Sequence, residues 1–217
     1  LEYIQAILPA LLKGTWQTLQ VFFLTLVLSL PLGLPFALGS ISRFFPVRFL
    51  SKAYIWVFRG TPLMLQLFFV YYGLPIMFGP AFRMENTVAA VLTFTMNYAA
   101  YFAEIYRGGI ESMPQGQYEA AKILGYSKGQ TFVRIILPQV IKRIIPSVTN
   151  EMITLVKDTS LAFTIGGIRE MFTVAKAIAA SQTNMLPFLF AGIFYYIFNL
   201  IVAFLMERVE KRLNYYR

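Results

Sequence analysis

The chain has 217 residues, 58% hydrophobic and 13% charged, against roughly 45–50% and roughly 25% in ordinary soluble domains. That argues against a soluble globular or disordered chain and leaves room for one membrane domain of about five spans of about 20 residues each. The 19 Lys and Arg against 10 Asp and Glu give +9, which in a membrane chain points to basic cytoplasmic loops beside anionic lipid; with no Cys and no His, disulfides, Cys/His metal sites, thiol nucleophiles and histidine bases are excluded.

In chain order, Tyr3 to Leu12 reads as a short interfacial helix. Leu1 is not a start methionine, and a few residues are expected to precede it. The apolar run over 16–39 is too long for a signal-peptide core and lacks a small-residue cleavage site, so it predicts the first span. The second span is expected over 53–78, broken near Gly73 and Pro75, and the third over 87–105. A polar, basic stretch over 107–145 follows as a long loop. The fourth span is expected over 147–165 and the fifth over 187–206, with two or three helical turns between them around Met171 to Ala180. The tail from Glu207 is charged. The runs do not alternate with period two, which excludes a barrel pattern. No internal repeat is visible. The reading is a single all-α domain over 1–217.

Positive charges set the expected orientation. One side collects Arg43, Arg48, Lys52, Arg59, the cations of the 107–145 loop, and Arg208, Lys211, Arg212 and Arg217. The other holds only Lys13, Arg83, Arg169 and Lys176. The positive-inside rule then predicts the N-terminus outside and the C-terminus in the cytoplasm.

The long loop carries the most information. Glu119 to Leu124 favours helix, Gly125 is a helix stop, and Ser127 with Gln130 forms a capping box that restarts one. Ala120 and Ala121 keep one face small. Read alone, this is equally an amphipathic helix resting on the inner leaflet. Glu119-Ala-Ala121, Gly125 and Ile135-x-Leu-Pro138 resemble the EAA signature of ABC-importer permeases. Phe58-Arg-Gly-Thr-Pro62, the run from Gln66 to Pro75, Ala103 to Ile110, Pro114-x-Gly-Gln117 and Lys157-Asp-Thr-Ser-Leu161 are similar to words of the polar amino acid uptake permeases. The match runs in order from about Gly14 to about Arg212. The resemblance implies a helical bundle of five spans per subunit and a coupling helix at Glu119, Ala120 and Ala121, ended by Gly125. It also implies the partners: a second permease, identical or homologous; two ABC ATPases; an external amino-acid-binding protein; and an amino acid as cargo. Such a chain is a transport subunit of a bacterial or archaeal inner membrane and not an enzyme. It has no phosphate-cradling Gly-rich motif of its own, so ATP and Mg belong to the partner ATPase.

Polar groups inside spans mark the candidate path, because they are costly there. Asn97, Tyr101 and Glu104 share one helix face, as do Asn150, Thr154 and Lys157 on the fourth span. Asn97 and Glu104 are about 10 Å apart along the axis, a length that suits an amino acid. Glu104 is expected to meet its ammonium; Asn97, Asn150 and Thr154 are expected to meet its carboxylate. Glu151 adds negative charge. The competing reading pairs Glu104 with Arg107 across one helical turn. Lys157, Asp158 and Thr61 read as gating or structural groups, and Gly60 and Pro62 as shape. The substrate is left open, with a lean toward cationic amino acids such as arginine. The rival function is an ion-coupled secondary transporter or channel using Glu104 and Lys157.

Overall fold

The computed structural model describes residues 2–213, with side chains from residue 5. Leu1 and the tail cation Arg217 lie outside the described residues. Among the described residues there is helix and no strand.

Helix α1 runs unbroken over Glu2–Ser40. The separate interfacial helix expected before the first span is instead its opening turns. The Thr15 and Thr18 hydroxyls donate back to the carbonyls of Leu11 and Gly14, at 3.0 and 3.1 Å, so the polar residues at the junction are satisfied within the helix.

The second span differs more. Helix α2 (Phe45–Gly60) and helix α3 (Leu63–Phe68) meet at Thr61-Pro62, and the chain bends there by 106°. The expected break near Gly73 and Pro75 is only a π-helical segment, Phe69–Gly73, leading into α4, Leu74–Phe78. A wide turn absorbs the missing proline N–H. At Pro62 the preceding residue is forced out of the helical region, and Thr61 takes φ −119°, ψ 144°.

Helix α5 covers Asn86–Glu111 and is capped by the Glu85 carboxylate, which accepts from the N–H groups of Thr87 and Val88 at 3.0 and 3.1 Å. It is followed by α6 (Gln115–Ile123) and α7 (Lys128–Thr131). The predicted basic segment and fourth span merge into one body. A π segment, Phe132–Ile136, enters α8, Leu137–Asp158, which continues through Pro146 and ends in a 3-10 turn at Thr159–Ile165. The turns expected after it form α9, Met171–Gln182. Helix α10, Leu186–Leu213, carries the fifth span on into the charged tail.

By length and composition, α1, α5 and α10 are each apolar enough to cross a membrane, and the bent α2 to α4 pair adds a fourth candidate. Helix α8 fails that test because Lys142, Arg143, Glu151, Lys157 and Asp158 dilute its apolar face.

Helix α5 is the centre of the bundle. Its Phe94, Tyr98 and Phe102 are buried, and Leu67, Leu155 and Phe198 pack in the same core. Small residues bring α1 close: a Cβ on Gly33 would lie 3.0 Å from the carbonyl oxygen of Ala99. Such close approach favours helix association where lipid removes the hydrophobic drive. The buried Glu170 carboxylate caps α9 and accepts the Tyr195 hydroxyl of α10 at 2.9 Å, while the Thr18 hydroxyl of α1 accepts the Met171 N–H at 3.1 Å. Three helices are thereby tied at one point.

Candidate functional site

The break in the second span opens a cavity of about 480 Å³. A helix that stops inside a bundle leaves carbonyls without partners, and two amides supply them here. Asn97 Nδ2 donates to the Phe58 carbonyl and to Gln66 Oε1, both at 3.0 Å. Gln66 Nε2 donates to the Phe58 carbonyl, the Thr61 carbonyl and Thr61 Oγ1, at 2.9, 3.1 and 2.7 Å. The bend is therefore fixed by side chains of α3 and α5.

Around this hinge the cavity is lined by Arg59, Thr61, Asn97, Tyr101, Glu151, Thr154 and Asp158, among others. The Arg59 guanidinium lies over the Tyr101 ring, 5.3 Å from its centroid. Buried Tyr98 donates its hydroxyl to Asp158 Oδ2 at 2.8 Å. Thr154 Oγ1 donates to the Asn150 carbonyl at 3.0 Å. The α8 face turned to the cavity is thus 151, 154 and 158, two helical turns long, and not the predicted 150, 154 and 157. Asn150 and Lys157 are exposed and outside the lining.

Glu104 also lies outside this cavity. It accepts both from Arg107 Nε, at 3.0 Å, and from Arg107 Nη2, and its Oε1 sits 3.7 Å from Arg59 Nη1. Arg107 extends the chain of charges to Glu111. The pairing with Arg107 weighed from the sequence is present, and Arg59 joins it to the cavity.

Three residues of this site were not singled out from sequence: Arg59, Gln66 and Tyr98. Gln66 opens one of the quoted family words and Tyr98 lies within the third span, but neither is marked as a site residue without knowing that the chain folds back at Pro62. Arg59 had one, a cation placed directly before a Gly-Thr-Pro break.

The predicted docking region is built as its residues suggest. Gly125, at φ +81°, ends α6. Its N–H bonds to the Lys122 carbonyl at 3.1 Å, and the Tyr126 N–H bonds to that of Ala121 at 3.0 Å, a Schellman closure that favours glycine. Ser127 and Gln130 form the predicted capping box. Ala121 is buried, whereas Glu119 and Ala120 are exposed. Gln117 and Gln139 exchange two amide hydrogen bonds at 2.9 Å, and Arg143 Nη1 donates to the Ser112 carbonyl at 3.0 Å. Helix α6 is therefore strapped to the start of α8. At its end Ile123 and Leu124 are 86% and 74% exposed.

No group of three or more acidic, His or Cys side chains among the described residues is arranged to hold a metal ion.

Residues 29–215 match the family described as binding-protein-dependent transport system inner membrane component. The chain is 39% identical over 207 residues to the arginine transport system permease protein ArtQ of Bacillus subtilis (strain 168), covering 95% of this chain and 94% of that protein. It is also 39% identical over 207 residues to the octopine transport system permease protein OccM of Rhizobium radiobacter, covering 93% and 84%. A crystal structure of an amino acid ABC transporter with histidines superposes with a TM-score of 0.89 at 30% identity, covering 97% of both chains. The chain thus belongs to the binding-protein-dependent inner membrane component family, as a multi-pass permease subunit of an amino acid ABC transporter and not an enzyme.

Proposed function

We propose that the cavity at the Thr61-Pro62 break is the amino-acid site of the translocation path and that it favours cationic substrates such as arginine. The carrying observation is its charge: two carboxylates, Glu151 and Asp158, face one guanidinium, Arg59. A ligand of net charge +1 neutralises that set. The hydrogen bonds support one assignment of the ends. Both Asn97 amide protons are engaged and the Thr154 proton is given to Asn150, so these residues offer acceptors to an ammonium or guanidinium. That reverses the donor role expected of them. Arg59 is the donor for the substrate carboxylate, backed by Glu104, which acts here from behind Arg59. Tyr101 supplies an apolar wall. The similarity to an arginine permease supports the same lean. The rival ion relay through Glu104 and Lys157 is not favoured, because the two do not share a cavity.

In this reading two permeases pair around the path, an external binding protein delivers the amino acid, and two ABC ATPases holding ATP and Mg dock on α6. The exposed Ile123 and Leu124, on a short helix outside any span, are surface that a protein partner would cover. The N-terminus lies outside and the C-terminus in the cytoplasm of a prokaryotic cell.

The test is uptake of labelled arginine and of a neutral amino acid by proteoliposomes holding permease, ATPase and binding protein. A charge-assisted hydrogen bond contributes roughly 1.5–3 kcal/mol. Glu151→Gln is expected to weaken arginine uptake about tenfold to a hundredfold, with basal ATP hydrolysis retained. Unchanged arginine uptake would remove the cavity from the path.

A further inference from the structure

Past Asp158 the chain leaves the cavity through the 3-10 turn Thr159–Ile165 and meets two consecutive glycines. Gly166 and Gly167 both stand in the left-handed region, at φ +67° and +70°, which glycine enters without strain. Both are exposed, while Ile165 and Ile168 on either side are buried. The chain beyond them is fixed. The buried Glu170 carboxylate accepts from the N–H groups of Phe172 and Thr173, both at 2.6 Å, and from the Tyr195 hydroxyl of α10, and Thr18 of α1 accepts the Met171 N–H. Helix α1 comes so close there that a Cβ on Gly14 would lie 3.0 Å from Met171 Cα. The chain before the glycines is held differently, by two hydrogen bonds from the elements that form the other walls of the cavity. Asn86 Nδ2, at the start of α5, donates to the Gly166 carbonyl at 2.8 Å, and the Tyr72 hydroxyl, from the π segment after α3, donates to the Ile165 carbonyl at 3.4 Å. Asn86 sits directly on the second glycine, where a Cβ would lie 2.2 Å from its Nδ2.

We propose that Gly166-Gly167 is the hinge on which the outer end of α8 swings away from α5, and that Asn86 is the latch that holds it closed. The proposal rests on the reading of the cavity as the amino-acid site. A path that delivers cargo across a membrane opens to each side in turn, and α8 carries Glu151, Thr154 and Asp158 of the lining. Its Asp158 end must therefore part from Tyr98 of α5, to which it is bonded at 2.8 Å. The chain can yield at the glycines far more easily than at Glu170. Breaking the Glu170 cluster would leave a buried carboxylate without its donors. Releasing Asn86 from Gly166 frees one amide and one carbonyl beside an exposed glycine, where water takes them up. Hinges are a few loop residues that absorb a large change in φ and ψ, and a glycine pair between a swinging helix and a fixed corner meets that need.

The experiment follows backbone hydrogen exchange in the permease–ATPase complex in lipid nanodiscs, with and without a non-hydrolysable ATP analogue and Mg. In wild type the nucleotide is expected to speed exchange over residues 163–168 several-fold and to leave 171–175 protected. Asn86→Ala is expected to speed exchange over 163–168 about fivefold without nucleotide, again with 171–175 unchanged. Asn86→Asp keeps the size and loses the donor, and is expected to behave as the alanine variant does. Asn86→Ala with Gly167→Ala makes room for the new Cβ but leaves it at a left-handed φ; it is expected to blunt the nucleotide response and to lower the maximal rate of arginine uptake several-fold at an unchanged half-saturating concentration. Wild-type exchange in both Asn86 variants overturns the latch. A nucleotide response that is absent at 163–168, or equally large at 171–175, overturns the hinge. Exchange is read without amino acid present, so the outcome is separate from that of Glu151→Gln, which tests the cavity itself.

Discussion

Arg59 is the residue on which the site turns. Its guanidinium stacks on Tyr101, reaches Glu104 at 3.7 Å and acts electrostatically on Glu151 across the cavity. Glu104 is itself anchored by Arg107. Glu104→Gln keeps the shape and removes the charge, so uptake of labelled amino acid is expected to fall about tenfold while the complex still assembles. Adding Arg107→Gln is expected to restore nothing, because Arg59 still lacks its partner. Recovery of uptake in the double variant would mean that Glu104 serves Arg107 alone. Asn97 illustrates a different point. Its residue type and helix face marked it as polar inside a span, and it does line the cavity. Its amide protons are nevertheless committed to the Phe58 carbonyl at the end of α2 and to Gln66 Oε1 of α3, so it fixes the bend as well as lining the cavity.

Among the elements, α6 can fill the proposed coupling role only if its ends are fixed. Gly125 closes α6 with φ +81°, a conformation that costs a β-branched residue roughly 1–2 kcal/mol. Gly125→Val is expected to tilt the Glu119-Ala120-Ala121 turn and to lower substrate-stimulated ATP hydrolysis several-fold in proteoliposomes, with membrane insertion intact. Normal stimulation would count against docking at this helix. At the other end of the bundle, α5 starts on the Glu85 cap. The backbone N–H of Thr87, joined by that of Val88, holds the Glu85 carboxyl below its ordinary 4.5. A carboxyl lowered in the folded state stabilises above its unfolded value and loses that contribution as pH falls through the folded one. Glu85→Ala is therefore expected to lower the thermal midpoint at neutral pH, and the gap from wild type is expected to narrow as pH drops below 4.5. A gap independent of pH would mean that the cap carries no charge effect.

For the whole molecule, the proposed orientation rests on the charges alone and has a direct test, because the chain has no cysteine of its own. Single cysteines at Ser112 and Lys128 are expected to be shielded from a membrane-impermeant thiol reagent applied to whole cells, and one at Gln182 labelled. The reverse pattern would invert the topology.

Local chemistry was legible from the residues. The Ser127–Gln130 capping box, the Gly125 stop and the long apolar runs of α1, α5 and α10 need only neighbours within a few positions, and each is present. The family followed from words such as Glu119-Ala-Ala121 in their order. What depended on distant contacts was not legible. A proline signals strain, but whether Pro62 or Pro75 bends the span depends on what receives the freed carbonyls. Gln66 and Asn97 receive them at Phe58 and Thr61, whereas near Pro75 a π turn suffices. The helical period alone pointed to the α8 face of Asn150, Thr154 and Lys157, whereas 151, 154 and 158 line the cavity. The choice was made by packing, with Tyr98 holding Asp158 inward at 2.8 Å. Sequence thus determined the elements and the class of molecule, because those are set by local hydrogen bonding and hydropathy. The cavity, its excess of carboxylate and the bridging role of Arg59 arise only when α2, α5 and α8 are brought together.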